Sequence, residues 1–179
     1  ADLTNVSTVR ALMKMLRQLH ESKERFEGKV DLSGLLNRYF QLIPDHQQRD
    51  IKDIYQRAVM KLKTLPDDDN EPVPSHNDLV LENILIDDSQ RIWIIDWEYA
   101  SMAPPWWDLA TLCNSAGLGR DDSAQLLKIY RGEVSKTALR LLIDYRYILQ
   151  VLSICWLVAF TETDVSRQIE KLSSSAEYP

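Results

Sequence analysis

The sequence predicts an α+β fold that is mostly α, with one small β-hairpin set in the middle of the chain. Three observations carry this. Apolar residues recur at three- and four-residue steps over most of the first sixty positions. Two short β-prone runs, Ile84-Leu85-Ile86 and Ile92-Trp93-Ile94-Ile95, flank the polar stretch Asp87-Asp88-Ser89-Gln90. After Pro105 the pattern is helical again. A helical bundle alone has no need of such a hairpin.

Each element has its own signal. From Val6 to Phe26, the residues Val9, Leu12, Met13, Leu16 and Leu19 mark one face of an amphipathic helix. Two further helices are expected over Leu32 to Leu42 and His46 to Leu62, the second opening after Pro44. The run Pro66-Asp67-Asp68-Asp69-Asn70-Glu71-Pro72 breaks the pattern and reads as a solvated loop. Pro72 and Pro74 then hold the approach to His76 extended, because proline fixes its own φ and biases its predecessor away from helix. Beyond the hairpin, helices are expected over Trp106 to Ala116, Ser123 to Tyr130, Ser135 to Phe160 and Val165 to Leu172.

The bulk numbers narrow the function classes. A chain of 179 residues is one ordinary domain, and 45% hydrophobic with 27% charged residues is a globular balance. The net charge of -6, from 27 acidic against 21 basic residues, argues against a nucleic-acid binder, which needs a basic face. Cys113 and Cys155 both lie in apolar stretches, so no disulfide framework is expected and a reducing, cytoplasmic setting fits. Ala1 to Ser7 shows no signal-peptide pattern, and the apolar run Ile148 to Phe160 is too short to span a bilayer. No membrane insertion is expected.

The chemistry gathers on the hairpin. On one side lie Asp78 and Asn83, within His76-Asn77-Asp78-Leu79-Val80-Leu81-Glu82-Asn83; on the other lies Asp96, directly after the second strand. Phosphoryl transfer needs a carboxylate to orient the attacking hydroxyl and accept its proton, and oxygen ligands that hold Mg2+ on the phosphates of ATP. A catalytic-loop Asp, an Asn five residues on, and an Asp after a hairpin meet that need in protein kinases. An H-x-D-x-x-x-x-N string arises by chance in roughly one chain of this size in a hundred. Requiring strand, turn, strand and Asp after it removes most of those chance matches.

These residues resemble the paired signature of choline and ethanolamine kinases, within the aminoglycoside-phosphotransferase superfamily of protein-kinase-like folds. His76-Asn77-Asp78 through Asn83, Ile95-Asp96-Trp97-Glu98-Tyr99, and Trp107-Asp108-Leu109-Ala110 carry the resemblance, with Asn77 and the Glu98-Tyr99 pair tilting it to the choline branch. It implies a catalytic Asp78, with His76 bracing the loop through hydrogen bonds more than shuttling protons. It implies Asn83 and Asp96 as magnesium ligands, and Asp108 as a support that fixes the loop without touching substrate. Glu98 is a candidate for contact with metal or the substrate ammonium. A quaternary ammonium is recognised by aromatic faces, each contributing about 2 kcal/mol when desolvated. Trp97, Tyr99, Trp106 and Trp107 stand near the motif, and Trp156 resembles a tryptophan that walls the choline pocket. Tyr145 and Tyr147 are further aromatics that nothing in the sequence selects.

The resemblance also implies a partner segment. Such kinases carry an N-terminal β-lobe with a phosphate-covering loop and a lysine, whereas this chain has five glycines, none in a G-x-G arrangement. Residues 1–179 are therefore expected to be a C-terminal lobe that binds ATP poorly and turns over little without the missing N-terminal lobe. The expected activity of the whole is ATP-dependent phosphorylation of choline or a similar small amino alcohol. An aminoglycoside, thiamine-like or amino-sugar acceptor is the alternative within the enzyme class, and a non-catalytic kinase-like binding module the alternative outside it.

Overall fold

The computed structural model describes residues 5–66, 71–175 and Tyr178. The acidic positions Asp67, Asp68, Asp69 and Asn70 lie outside the described residues. The chain divides into two compact units, Ala1–Val30 with Asp67–Leu142, and Asp31–Pro66 with Ile143–Pro179.

The first unit begins with α1, Val6–His20, capped by the Asn5 side chain, which accepts the backbone N–H of Ser7 at 2.9 Å and of Thr8 at 3.3 Å. The helix stops well before Phe26. Past His20 the apolar spacing ends, and the Ser22 hydroxyl accepts the Glu24 N–H, a local bond that competes with helix. Val9, Leu12, Met13 and Leu16 form the buried stripe, as the periodicity requires. Four short strands follow: β1 (Val73–Ser75), β2 (Ile84–Ile86), β3 (Ile92–Ile94) and β4 (Ser101–Ala103). β2 pairs antiparallel with β3, with Leu85 opposite Trp93. β1 pairs antiparallel with β4, and Met102 also exchanges backbone bonds with Gly28 and Val30 on its far side. The unit is completed by α4 (Trp106–Ser115), α5 (Arg120–Arg131) and the first residues of α6 (Lys136–Phe160). α5 starts three residues earlier than its apolar pattern, with Asp121 and Asp122 favourably placed at the positive end of the helix. α1 packs on α5, β1 and β3.

The second unit holds α2 (Leu32–Leu42), α3 (Asp45–Thr64), the rest of α6 and α7 (Ser166–Ser174). Asp31 caps α2 by accepting the Gly34 N–H at 2.9 Å. α3 packs on α2 and α7. Tyr178 is buried, edge-on to Tyr147, and its hydroxyl lies 2.6 Å from the Gln150 side-chain nitrogen.

α6 corrects one expectation. Counted from sequence, the apolar run covers only 148–160, but the whole helix has 25 residues and is long and apolar enough to cross a membrane by length and composition. Its most apolar window is 67% buried in the protein, which is the environment of a core helix.

Candidate active site

β1 delivers the chain into a loop whose backbone is fixed from below. Asp108, fully buried in the first turn of α4, accepts the backbone N–H of His76 at 2.9 Å on Oδ2 and that of Asn77 at 2.7 Å on Oδ1. Its Oδ2 also lies 3.1 Å from Nε2 of His20, the last residue of α1. Donors converging on both oxygens offset the cost of burying that carboxylate. Asn77 takes a left-handed backbone, φ 66°, which asparagine tolerates better than most residues. Its side-chain N–H2 reaches the Ser101 hydroxyl at 2.7 Å and the Tyr99 carbonyl at 2.9 Å, and the Trp107 indole donates to its carbonyl at 2.9 Å. Asn77 therefore joins the loop to β4 and to α4.

His76 is buried, and both of its ring nitrogens are engaged with backbone. Nδ1 accepts the Asp78 N–H at 3.3 Å, so Nε2 carries the proton and donates to the Ile95 carbonyl at 2.9 Å. The ring thus ties the start of the loop to the end of the hairpin. On the other side of the same residue, the Ile95 N–H donates to the Asn83 carbonyl at 3.0 Å. Ile95 is thus held from two directions, and the next residue, Asp96, is delivered at the end of the hairpin.

Asn83 closes the short 3-10 turn Leu81–Asn83 and is buried. Its side-chain nitrogen donates to the Asp78 carbonyl at 2.9 Å and to Asp78 Oδ2 at 3.0 Å. This single amide sets the Asp78 carboxylate, and its oxygen is a hard donor of the type magnesium takes. Asp96 is exposed, with a left-handed backbone at φ 63°, a costly conformation that points to a position under functional constraint. Among the described residues, no three His, Cys, Asp or Glu side chains gather to hold a metal unaided. Magnesium at a phosphoryl-transfer site asks for less, namely one or two protein oxygens with substrate phosphates and water. The hard oxygens of Asn83 and Asp96 fit that demand.

The aromatic candidates separate. Trp106 and Trp107 are buried, and Trp106 is covered by the Arg131 guanidinium at 5.2 Å. Tyr145 and Tyr147 are buried as well. Trp97 is 41% exposed and Tyr99 60% exposed. Trp97 donates its indole N–H to the Ile94 carbonyl at 2.8 Å and stands edge-on to His76 at 4.7 Å, so one edge of it packs on the His76 loop. Glu98 is exposed beside them. Trp156 belongs to the second unit, half exposed against Phe160. His20 was missed from sequence. It ends a helix whose apolar spacing gives no reason to single it out, and only the fold brings it to Asp108.

Comparison with known proteins bears on this arrangement. The family model described as the phosphotransferase enzyme family, APH, matches residues 3–141. "Protein LicA" of Haemophilus influenzae is 29% identical over 143 residues, which cover 75% of this chain and 51% of that protein. The chain thus spans about half the length of that curated relative. Among solved structures, a choline/ethanolamine kinase family protein from Mesorhizobium loti aligns with a TM-score of 0.78 at 21% identity, covering 98% of this chain and 65% of the other. Choline kinase LicA from Streptococcus pneumoniae aligns with a TM-score of 0.74 at 22% identity over 94% of this chain and 64% of the other, and LicA in complex with AMP aligns at 0.73. At these identities the structural likeness shows the fold, which is mostly helical with small antiparallel sheets.

Proposed function

Because the chain belongs to the phosphotransferase enzyme family, we propose that it is the catalytic lobe of an ATP-dependent small-molecule kinase whose acceptor is the hydroxyl of choline or a similar amino alcohol. The observation that carries this is the Asn83 amide bound to both the carbonyl and the carboxylate of Asp78. It fixes a carboxylate at the head of a braced loop, with hard oxygen ligands for magnesium on either side of the hairpin. Asp78 orients the acceptor hydroxyl and takes its proton as the phosphoryl group transfers. Asn83 and Asp96 hold Mg2+, which when bound neutralises charge on the ATP phosphates. His76 and Asp108 keep the loop in place. The exposed faces of Trp97 and Tyr99, with Glu98 between them, supply cation recognition.

Choline is favoured over other acceptors by the names of the relatives, a choline kinase and a choline/ethanolamine kinase family protein. Nucleotide binding is favoured by the LicA complex with AMP. Residues 1–179 supply the C-terminal lobe, and a β-rich nucleotide-covering lobe belongs to the same protein. A cytoplasmic setting accords with two buried cysteines that form no disulfide.

The test is phosphate transfer from ATP and Mg2+ by the full-length protein, followed by 31P NMR, with choline, ethanolamine and kanamycin as acceptors. Phosphocholine is expected, and Asp78→Asn should lower the rate by about 10²–10⁴-fold. Transfer to kanamycin but not to choline replaces the acceptor assignment. Transfer to none of the three, or an unchanged rate in Asp78→Asn, overturns the kinase assignment.

A further inference from the structure

Asp108 is held by more than the loop it supports. Its Oδ2, which takes the His76 N–H, also faces His20 Nε2 at 3.1 Å. On the far side of that imidazole, His20 Nδ1 lies 2.7 Å from the hydroxyl of Tyr130 on α5. The two rings meet edge to face at 5.8 Å and 70°. His20 is 6% exposed and Asp108 is fully buried, so water does not readily replace these partners. Burial pushes the Tyr130 phenol well above its ordinary range, with a smaller contribution from Glu21. The Asp108 carboxylate can only accept, so it takes the Nε2–H of His20, while Nδ1 shares the other hydrogen bond with the Tyr130 hydroxyl. Hydrogen bonds thus link Tyr130, His20 and Asp108, with the His76 and Asn77 amides on the same carboxylate.

A carboxylate that holds two adjacent backbone amides can still rock about its side-chain torsions. A third donor at a fixed point removes that freedom. His20 is rigid at the end of α1, and α1 packs on α5, which carries the Tyr130 hydroxyl. We propose that His20 and Tyr130 are positioning residues for the catalytic loop, fixing through Asp108 the His76-Asn77 backbone from which Asp78 projects. The kinetic arm of this inference rests on the kinase function proposed above; the structural arm does not.

The test uses three variants of the full-length protein. His20→Leu removes both ring nitrogens. His20→Gln keeps a side-chain N–H near the place of Nε2. Tyr130→Phe removes only the hydroxyl. Two quantities are measured: amide hydrogen exchange at His76 and Asn77 relative to the α4 amides, and kcat against KM. His20→Leu should raise exchange at the two amides and lower kcat by about 10–100-fold, the range for loss of a supporting partner, with KM for both substrates unchanged. His20→Gln should recover most of both losses, and Tyr130→Phe should fall between. The proposal is overturned if His20→Gln is no better than His20→Leu, or if exchange at His76 and Asn77 does not move. Should His20→Leu fail to fold, Tyr130→Phe decides alone, and wild-type exchange and kcat in it overturn the proposal. If the unmodified protein transfers no phosphate, the kinase assignment has failed, and the exchange comparison still decides this one.

Discussion

The buried Asp108 carboxylate accepts the backbone N–H of His76 at 2.9 Å, across 32 residues of sequence. This bond makes the His76–Asn83 loop an extension of α4 and removes its freedom as a surface turn. Asp108→Asn replaces one acceptor oxygen with an N–H2 that must face another donor. An unmatched buried donor costs about 1–3 kcal/mol, so a loss of that order is expected in a urea melt of the variant. A melt unchanged from the unmodified protein contradicts the bracing role.

Asn83 has two duties in the proposed chemistry, orienting Asp78 with its nitrogen and holding magnesium with its oxygen. Asn83→Leu keeps the size and removes both. In the full-length protein, kcat should fall at least about tenfold, and the magnesium concentration for half-maximal rate should rise. A fall in rate with an unmoved magnesium dependence would confine Asn83 to the first duty.

On the proposed function, the segment that covers the phosphates lies outside residues 1–179. Isothermal titration of the isolated chain with ATP and magnesium should show binding weaker than micromolar. Micromolar affinity would show that residues 1–179 hold the nucleotide without help.

Asp87 organises the hairpin turn. Its Oδ1 accepts the N–H groups of Ser89 at 2.8 Å and Arg91 at 3.0 Å, and its Oδ2 accepts the Trp93 indole at 3.1 Å. These bonds, the Arg91 backbone N–H first, hold its pKa below the ordinary 3.8. A carboxylate depressed on folding stabilises the fold at pH values above the unfolded pKa. That contribution fades as pH falls below 3.8 and is gone once the folded group is protonated. Trp93 is 54% exposed, so its fluorescence should report turn opening in that acid range. Asp87→Asn should lack this transition.

Both cysteines are buried, and burial pushes the Cys155 thiol up to about 12. The thiolate is the reactive form. Neither cysteine should therefore react with iodoacetamide in the folded protein at neutral pH, and both should react in denaturant. Rapid labelling of Cys155 in the native state contradicts the placement of α6.

How much of this was legible beforehand follows the range of each interaction. The α2 bounds, Leu32–Leu42, and the hairpin strands were readable because apolar spacing is local and needs no partner to be recognised. The end of α1 was misplaced because a serine hydroxyl bond, invisible to hydrophobic pattern, competes with helix after His20. β4 was missed because three residues, Ser101 to Ala103, carry no alternation; the strand exists through its pairing with β1. Whether Trp106 and Trp107 are buried was not legible, because composition does not say which side of a helix faces inward.

By itself the sequence determined the mostly helical class and the hairpin, with Asp78, Asn83 and Asp96 placed around it, since those depend on residue type at short spacing. Only the tertiary structure decided that His76 spends both ring nitrogens on backbone, that Asn77 rather than a tryptophan links the loop to β4, and that His20 stands behind Asp108. Those are contacts between residues from 19 to 88 positions apart, apart from the Asp78 N–H on His76. Such contacts form when burial forces polar groups to find partners among whatever the packing brings near, and a linear pattern does not record that outcome.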